Sequence, residues 1–204
     1  AKLEELFTHH DVVVLVGGSG LFVRAVCEGL DNLPKPLPGI REALNERLEA
    51  EGIEILKNYL QEVDPLYFSE VDIDNSQRII RALEVYESTG KPFSFYRQHT
   101  VADRPFNIIT VALNTDRTQL YDRINRRVDL MMQAGLVEEV KGLMPYRDKP
   151  ALLTVGYAEI FDYLACKISL EEAVDKIKQN SRRYAKRQIT WFKKDTGTRW
   201  FEPD

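Results

Sequence analysis

The chain has 204 residues, and its formal net charge of −4 leaves 28 basic side chains against 32 acidic ones. That is long enough for one large domain, or for one domain carrying a smaller one, and no apolar run approaches the length that crosses a bilayer. Cys27 and Cys166 stand apart without CxxC spacing, and His9, His10 and His99 form no ligand set. This argues against a disulfide framework or a Cys/His metal site and fits thiols in a reducing, cytoplasmic setting.

In chain order, Lys2–Phe7 reads as a short helix, with Leu3, Leu6 and Phe7 on one face. The run Val12–Val16 holds five apolar residues, four of them valine, and predicts a strand buried on both faces of a parallel sheet. A helix feeding a strand with no earlier partner suggests a chain that begins in the middle of a larger fold. Gly17-Gly18-Ser19-Gly20 breaks the valine run, and helical spacing resumes from Leu21 to Glu28. Such a turn leaves backbone N–H groups and the Ser19 hydroxyl at the carboxyl edge of a sheet, where ligands of open α/β folds bind. The plainer alternative is a tight turn with Ser19 as a helix cap.

Pro34, Pro36 and Pro38 then stiffen a linker and mark a domain boundary. From 38 to 102 the pattern is helical: Arg41–Glu49, Ile53–Val63 ended by Asp64-Pro65, and Gln77–Ser88 with cap candidates at 74–76 and a stop at Gly90-Lys91-Pro92. The β-branched run Phe106–Leu113 predicts a return to the sheet. A helix or helix pair follows over 116–144 with a break at Gly135, then VGY at 155–157 before another apolar helix face. An S-x-x-E box at Ser169 opens a helix over Ser169–Ile177, and a final helix is expected over Asn180–Lys194. A short tail closes the chain.

The charge is unevenly placed. Lys176–Lys194 contains eight Lys or Arg and no acid. Its pairs Arg182/Lys186 and Arg183/Arg187 set like charges at i,i+4, which costs a few tenths of a kcal/mol each, so phosphate binding is their simplest use. Gln77, Arg78 and Arg81 cluster at the start of another helix, as residue types that suit phosphates and base edges or, equally, a solvated face. Arg123, Arg126 and Arg127 follow the second strand; they offer forked donors to a diphosphate, or pair with Asp122 and Asp129. Ser88-Thr89-Gly90-Lys91 is no Walker A motif, lacking the first glycine and running into Pro92.

Taken together, VGGSGLF (16–22), DNSQRIIRALEV (74–85), STGKP (88–92), RINRRVDLMMQAGLVEEV (123–140), VGY (155–157) and YAKRQITWF (184–192) resemble the tRNA dimethylallyltransferase (tRNA isopentenyltransferase) family, in order and across nearly the whole chain. The resemblance implies an α/β fold, with a P-loop-NTPase-like parallel-sheet core at 1–37 and 103–204, incomplete at its N-terminus, and an inserted all-helical domain at 38–102. It implies transfer of a dimethylallyl group from dimethylallyl diphosphate to N6 of the adenine 3′ of the anticodon in tRNA, with Mg²⁺, by a cytoplasmic monomer. The adenine would leave its stack to be reached.

Position by position, Ser19 matches a threonine beside the acceptor adenine, the one catalytic residue this implies. Arg41, Gln77, Arg78, Ile79, Ile80 and Arg81 match tRNA-contacting positions of the insertion. Leu152, Leu153, Thr154, Val155, Gly156 and Tyr157 match a second tRNA-contacting set, and Lys186, Arg187, Gln188, Ile189, Thr190, Trp191, Phe192 and Lys193 a third. Arg123 or Arg127 would meet the diphosphate. Departures from the family pattern are Ser for Thr at 19, Phe22 for tyrosine, and Leu153 and Ala158 where polar or basic residues are usual.

The resemblance places the ATP-type P-loop, the base that takes the N6 proton and the main Mg²⁺ ligands before Ala1, with no metal ligand in this chain. These residues alone are therefore expected not to catalyse transfer. Two other readings remain: a non-enzymatic tRNA-binding module, and an adenylate isopentenyltransferase acting on a free nucleotide. The helical insertion speaks against the second.

Overall fold

The computed structural model describes residues 2–98 and 100–203; His99 and the chain's first residue, both used above, lie outside the described residues. The chain divides into two compact units, Leu21–Phe106 and the pair of segments Ala1–Gly20 and Asn107–Asp204. The observed division differs from the 37/38 and 102/103 boundaries expected from the prolines. Backbone pairing explains the shift: the Ala102 N–H donates to the Glu28 carbonyl at 2.6 Å. Arg104 donates to the carbonyls of Ala25 and Cys27 at 3.0 and 3.3 Å, which ties the segment before the prolines to the segment leaving the helices. The prolines lie along this unit, with the Leu37 N–H on Ser88 Oγ at 3.0 Å.

The unit Leu21–Phe106 is helical in its described residues. After α1 (Lys2–Phe7) and α2 (Gly20–Cys27) come α3 (Ile40–Glu51), α4 (Ile53–Val63), α5 (Pro65–Glu70), α6 (Ser76–Thr89) and α7 (Phe93–Tyr96). Its core is Leu44, Leu56, Leu60, Tyr67, Ile79, Ile80, Leu83, Val85 and Phe93. Asp64 is buried because its carboxylate is fully used: Oδ1 accepts from the Tyr67 N–H at 3.0 Å and Oδ2 from the Ser94 N–H at 2.8 Å. Of the three cap candidates at 74–76, Asn75 caps α6, its side chain accepting from the Arg78 N–H at 3.2 Å.

The other unit combines α1 with β1 (Val111–Leu113), α8 (Arg117–Gln133), α9 (Leu136–Gly142), α10 (Tyr157–Leu164), α11 (Leu170–Phe192) and β2 (Arg199–Phe201). Strands β1 and β2 run parallel with Ala112 opposite Trp200. Gly135, at φ +96°, breaks α8 from α9, a conformation that favours glycine. Val128, Leu136, Val140, Ile160, Ala173 and Ile177 form the core between α8, α9, α10 and α11. The result is a mixed α/β fold with a short parallel sheet among many helices.

Three sequence expectations change here. Val12–Val16 is not a buried strand: Val14 and Val16 are 80% and 88% exposed, and no ladder partner reaches them among the described residues. A β-branched run extends into a strand only when another strand satisfies its N–H and C=O groups. Within Phe106–Leu113 only the last three residues pair, for the same reason, matching the three residues of β2. The tail that carries β2 is thus a strand and not a loose end. Finally, the two expected C-terminal helices are one, because Lys178-Gln179 contains neither Gly nor Pro to end the helix that Ser169 starts. Ser169 completes its capping box with Glu172, the paired bonds measuring 2.8 and 3.1 Å.

Candidate functional site

Ser19 sits half-buried in the turn ahead of α2, and what holds that turn is the far end of α11. The Gln188 amide donates to the Gly18 carbonyl at 2.8 Å. A Cβ on Gly18 would run into that amide, and a Cβ on Gly20 would run into the Trp191 indole. The two glycines flanking Ser19 are thus required by close approach. Trp191 is itself braced edge-on by Phe192, with ring centroids 4.9 Å apart.

The expected tRNA-contacting block at 186–193 therefore has two faces. Lys186, Arg187, Thr190 and Lys193 are exposed, whereas Gln188, Ile189, Trp191 and Phe192 are partly covered. Upstream on the same helix, part of the basic stripe is spent on structure. Lys178 pairs with Asp129 of α8 at 2.6 Å, and Arg182 donates to Asn125 at 2.6 Å while lying over the Tyr121 ring. Asp129 is thereby committed to Lys178. Arg123, Arg126 and Arg127 are exposed on α8, and among the described residues no ion pair engages them. The structure shows no contact joining Arg123 or Arg127 to Ser19.

The 152–157 loop is shaped by a residue the sequence reading passed over. Gly156 is buried at φ +103°, and its N–H donates to Glu159 Oε2 at 2.7 Å. The other oxygen of Glu159 accepts from Asn180 of α11 at 2.7 Å, so this buried carboxylate fixes the loop to the helix that also holds the Ser19 turn. Leu152 closes a short 3-10 turn, and Leu153, Thr154 and Val155 stand exposed. Tyr157 bonds through its hydroxyl to Glu139, which raises the phenol above its usual range. Leu153, 65% exposed, presents an apolar side chain at the tip.

In the unit Leu21–Phe106, Gln77 and Arg78 are exposed at the start of α6, but Ile79 and Ile80 are completely buried. Those two belong to the apolar stripe of α6, so as side chains they are withdrawn from any partner. Arg81 does not join Gln77 and Arg78 on one open polar face either. It donates to Glu84 at 3.3 Å, and Arg41 closes a two-pronged bond on the same carboxylate at 2.7 and 2.9 Å. Glu84 is 2% exposed, and the Arg41 guanidinium holds its carboxyl below the usual carboxylate range. Burial opposes that shift and Arg81 adds to it. An acid lodged in the apolar stripe of α6, three residues after Arg81, was the available signal for this network.

The IPP transferase family model matches residues 1–195. The chain belongs to that family. It is 50% identical over 203 residues to the tRNA dimethylallyltransferase of Christiangramia forsetii, covering all of this chain and 67% of that protein. It is 47% identical over 204 residues to tRNA dimethylallyltransferase 1 of Phocaeicola vulgatus, covering 100% of this chain and 68% of that one. The chain thus spans about two thirds of the length of these curated relatives. Among solved structures, the tRNA isopentenylpyrophosphate transferase of Bacillus halodurans aligns over 92% of this chain and 59% of its own, at 39% identity and a TM-score of 0.56. A eukaryotic dimethylallyltransferase acting on tRNA shares the fold, with a TM-score of 0.72 at 22% identity over 98% of this chain and 54% of that one. For an IPP transferase, the surfaces of interest are the Ser19 turn, the exposed cations of α8 and α11, the 152–157 loop and the Arg41–Glu84–Arg81 cluster.

Proposed function

We propose that this chain supplies the acceptor-side and tRNA-reading residues of an enzyme that transfers a dimethylallyl group from dimethylallyl diphosphate to N6 of the adenine 3′ of the tRNA anticodon. The observation that carries the reading is the Ser19 turn, seated on the helix whose other face exposes Lys186, Arg187 and Lys193, in a family member at least 47% identical to tRNA dimethylallyltransferases along its whole length. In the reaction the N6 lone pair forms a bond to the first carbon of the dimethylallyl group. The bond from that carbon to the diphosphate oxygen breaks, and N6 gives up a proton.

Ser19 would hydrogen-bond the adenine, orienting N6 for attack. Arg123 or Arg127 would take the charge that accumulates on the leaving diphosphate, which a forked guanidinium suits. The exposed cations of α11, with Arg41, Gln77 and Arg78, would bind the phosphate backbone of the anticodon stem-loop and place the target base without reading it. Mg²⁺ would neutralise diphosphate charge when bound. Among the described residues no three His, Cys, Asp or Glu side chains gather at one point, so the roles given to this chain's residues do not pass through the ion. A tRNA substrate makes the cytoplasm the expected compartment and a monomer sufficient; no helix of the described residues is long and apolar enough to cross a membrane.

Incubating the intact gene product with dimethylallyl diphosphate, Mg²⁺ and unmodified tRNA tests the reading. The expected result is an adenosine beside the anticodon heavier by one dimethylallyl group, with free AMP untouched. Salt-dependent tRNA binding without product would favour the binding-module reading, and efficient prenylation of AMP the free-nucleotide one.

A further inference from the structure

The last turns of α11 do something for the Ser19 turn that an RNA-contacting helix has no need to do. Gln188 is 170 residues away in sequence, yet its side-chain amide reaches the backbone carbonyl directly before Ser19, at 2.8 Å. The residue directly after Ser19 lies against the Trp191 ring so closely that only a hydrogen fits at that α-carbon. Ser19 is thus fixed from both sides, by a hydrogen bond at Gly18 and by an indole face at Gly20. Neither element can do this alone. The valine run leading into the turn has no ladder partner among the described residues, so the turn's position is set by α11.

We infer that Gln188 and Trp191 are positioning residues for the Ser19 hydroxyl, and that the basic helix α11 couples tRNA held on its exposed face to the geometry of the acceptor turn on its other face. This rests on the proposed dimethylallyl transfer. The arrangement separates two jobs along one helix. Lys186, exposed one turn from Trp191, can meet phosphate, while Gln188 faces Gly18 with its donor already used. A side chain whose amide hydrogen is committed to a backbone carbonyl gains little by also meeting RNA, whereas losing it releases the carbonyl next to the reacting group. Displacement of a catalytic group by about 1 Å can cost on the order of 100-fold in rate.

The test uses the intact gene product and three substitutions. Gln188→Met keeps the side chain's length and removes the donor; kcat for prenyl transfer should fall on the order of 10- to 100-fold while KM for tRNA stays within about twofold. Lys186→Ala, on the other face, should raise KM for tRNA instead. Gly18→Ala displaces the Gln188 amide, which can swing aside, and should match the kcat loss of Gln188→Met. Both changes remove the same hydrogen bond, so the double variant should lose no more than either single one. A Gln188→Met variant with raised tRNA KM and unchanged kcat would make Gln188 an RNA contact and overturn the inference, as would additive losses in the double variant. A wild-type protein that transfers no dimethylallyl group would refute the functional reading instead. The coupling would then be judged by thermal unfolding: the melting-point losses of Gly18→Ala and Gln188→Met should not add, and additive losses would overturn the clamp itself.

Discussion

The two units of this chain bury their apolar residues very differently. In Leu21–Phe106 the residues that periodicity assigns to the helix interiors are buried, with Leu56, Leu60, Ile79, Ile80, Leu83 and Val85 fully enclosed. In the other unit the helices close over a core, but the residues with the strongest strand character, Val12, Val14, Val16, Ile109, Val111 and Leu113, stand exposed. A helix satisfies its own backbone and needs only a face to bury, whereas a strand needs a neighbour for every N–H and C=O. The helical unit is therefore fixed by local signals and side-chain packing. The α/β unit is fixed by a few long-range contacts, and these gather at the Ser19 turn.

The largest effect that can be set against this contrast is a cavity in the helical core. Leu83→Ala should cost about 2–5 kcal/mol of stability in equilibrium denaturation; a cost below about 1 kcal/mol would mean that this core is looser than its burial indicates. Next comes the ion cluster. Arg41→Ala leaves the buried Glu84 with Arg81 alone, and should cost about 2 kcal/mol, less than a fully enclosed pair because the Arg41 side chain is itself nearly half exposed. The sign with pH follows from the depressed carboxyl. A carboxylate held below its unfolded value of about 4.3 contributes stability above that pH and loses it as pH falls through the folded value. Melting temperatures taken from pH 6 down to 3 should therefore drop more steeply for wild type than for Glu84→Gln, and parallel curves would remove Glu84 from the account.

In the α/β unit, Gly20→Ala forces a methyl group against the Trp191 ring and should cost about 1–3 kcal/mol, as overpacking does. The smallest effect is expected at Val14→Ser, within about 0.5 kcal/mol, since an exposed side chain with no ladder partner has little packing to lose. If Val14→Ser instead cost as much as Leu83→Ala, the exposed valines would be part of a packed layer and the contrast between the units would fail.

What could be read in advance divides along the same line. The helix α6, its Asn75 cap and its stop at Gly90, the break at Gly135 and the Ser169 capping box are written in contiguous residues and were legible. Strand β2 was not, because three residues of tail carry no periodicity and gain a partner only through β1. For the site, the stretches containing Ser19, Arg41, Arg123 and Lys186 could be picked out. Their internal division could not be seen: Ile79 and Ile80 turn inward, and Gln188 and Trp191 turn toward the acceptor turn. Adjacent residues on a helix differ by 100° in direction, so a block of matching letters says nothing about which of them reach a partner until the packing is known. Glu84 and Glu159 escaped for a related reason. A buried acid is recognised by the donors around it, and those donors lie far away in sequence.

The account turns on Ser19 as the group that orients the acceptor. Prenyl transfer to tRNA by Ser19→Ala and Ser19→Thr variants of the intact gene product, with kcat and tRNA KM determined separately, is the most direct test. Loss of kcat on the order of 10- to 100-fold in the alanine variant, with tRNA KM unchanged and activity kept by threonine, is the predicted result. An alanine variant that turns over at the wild-type rate would reduce the turn to a helix start and contradict the assignment.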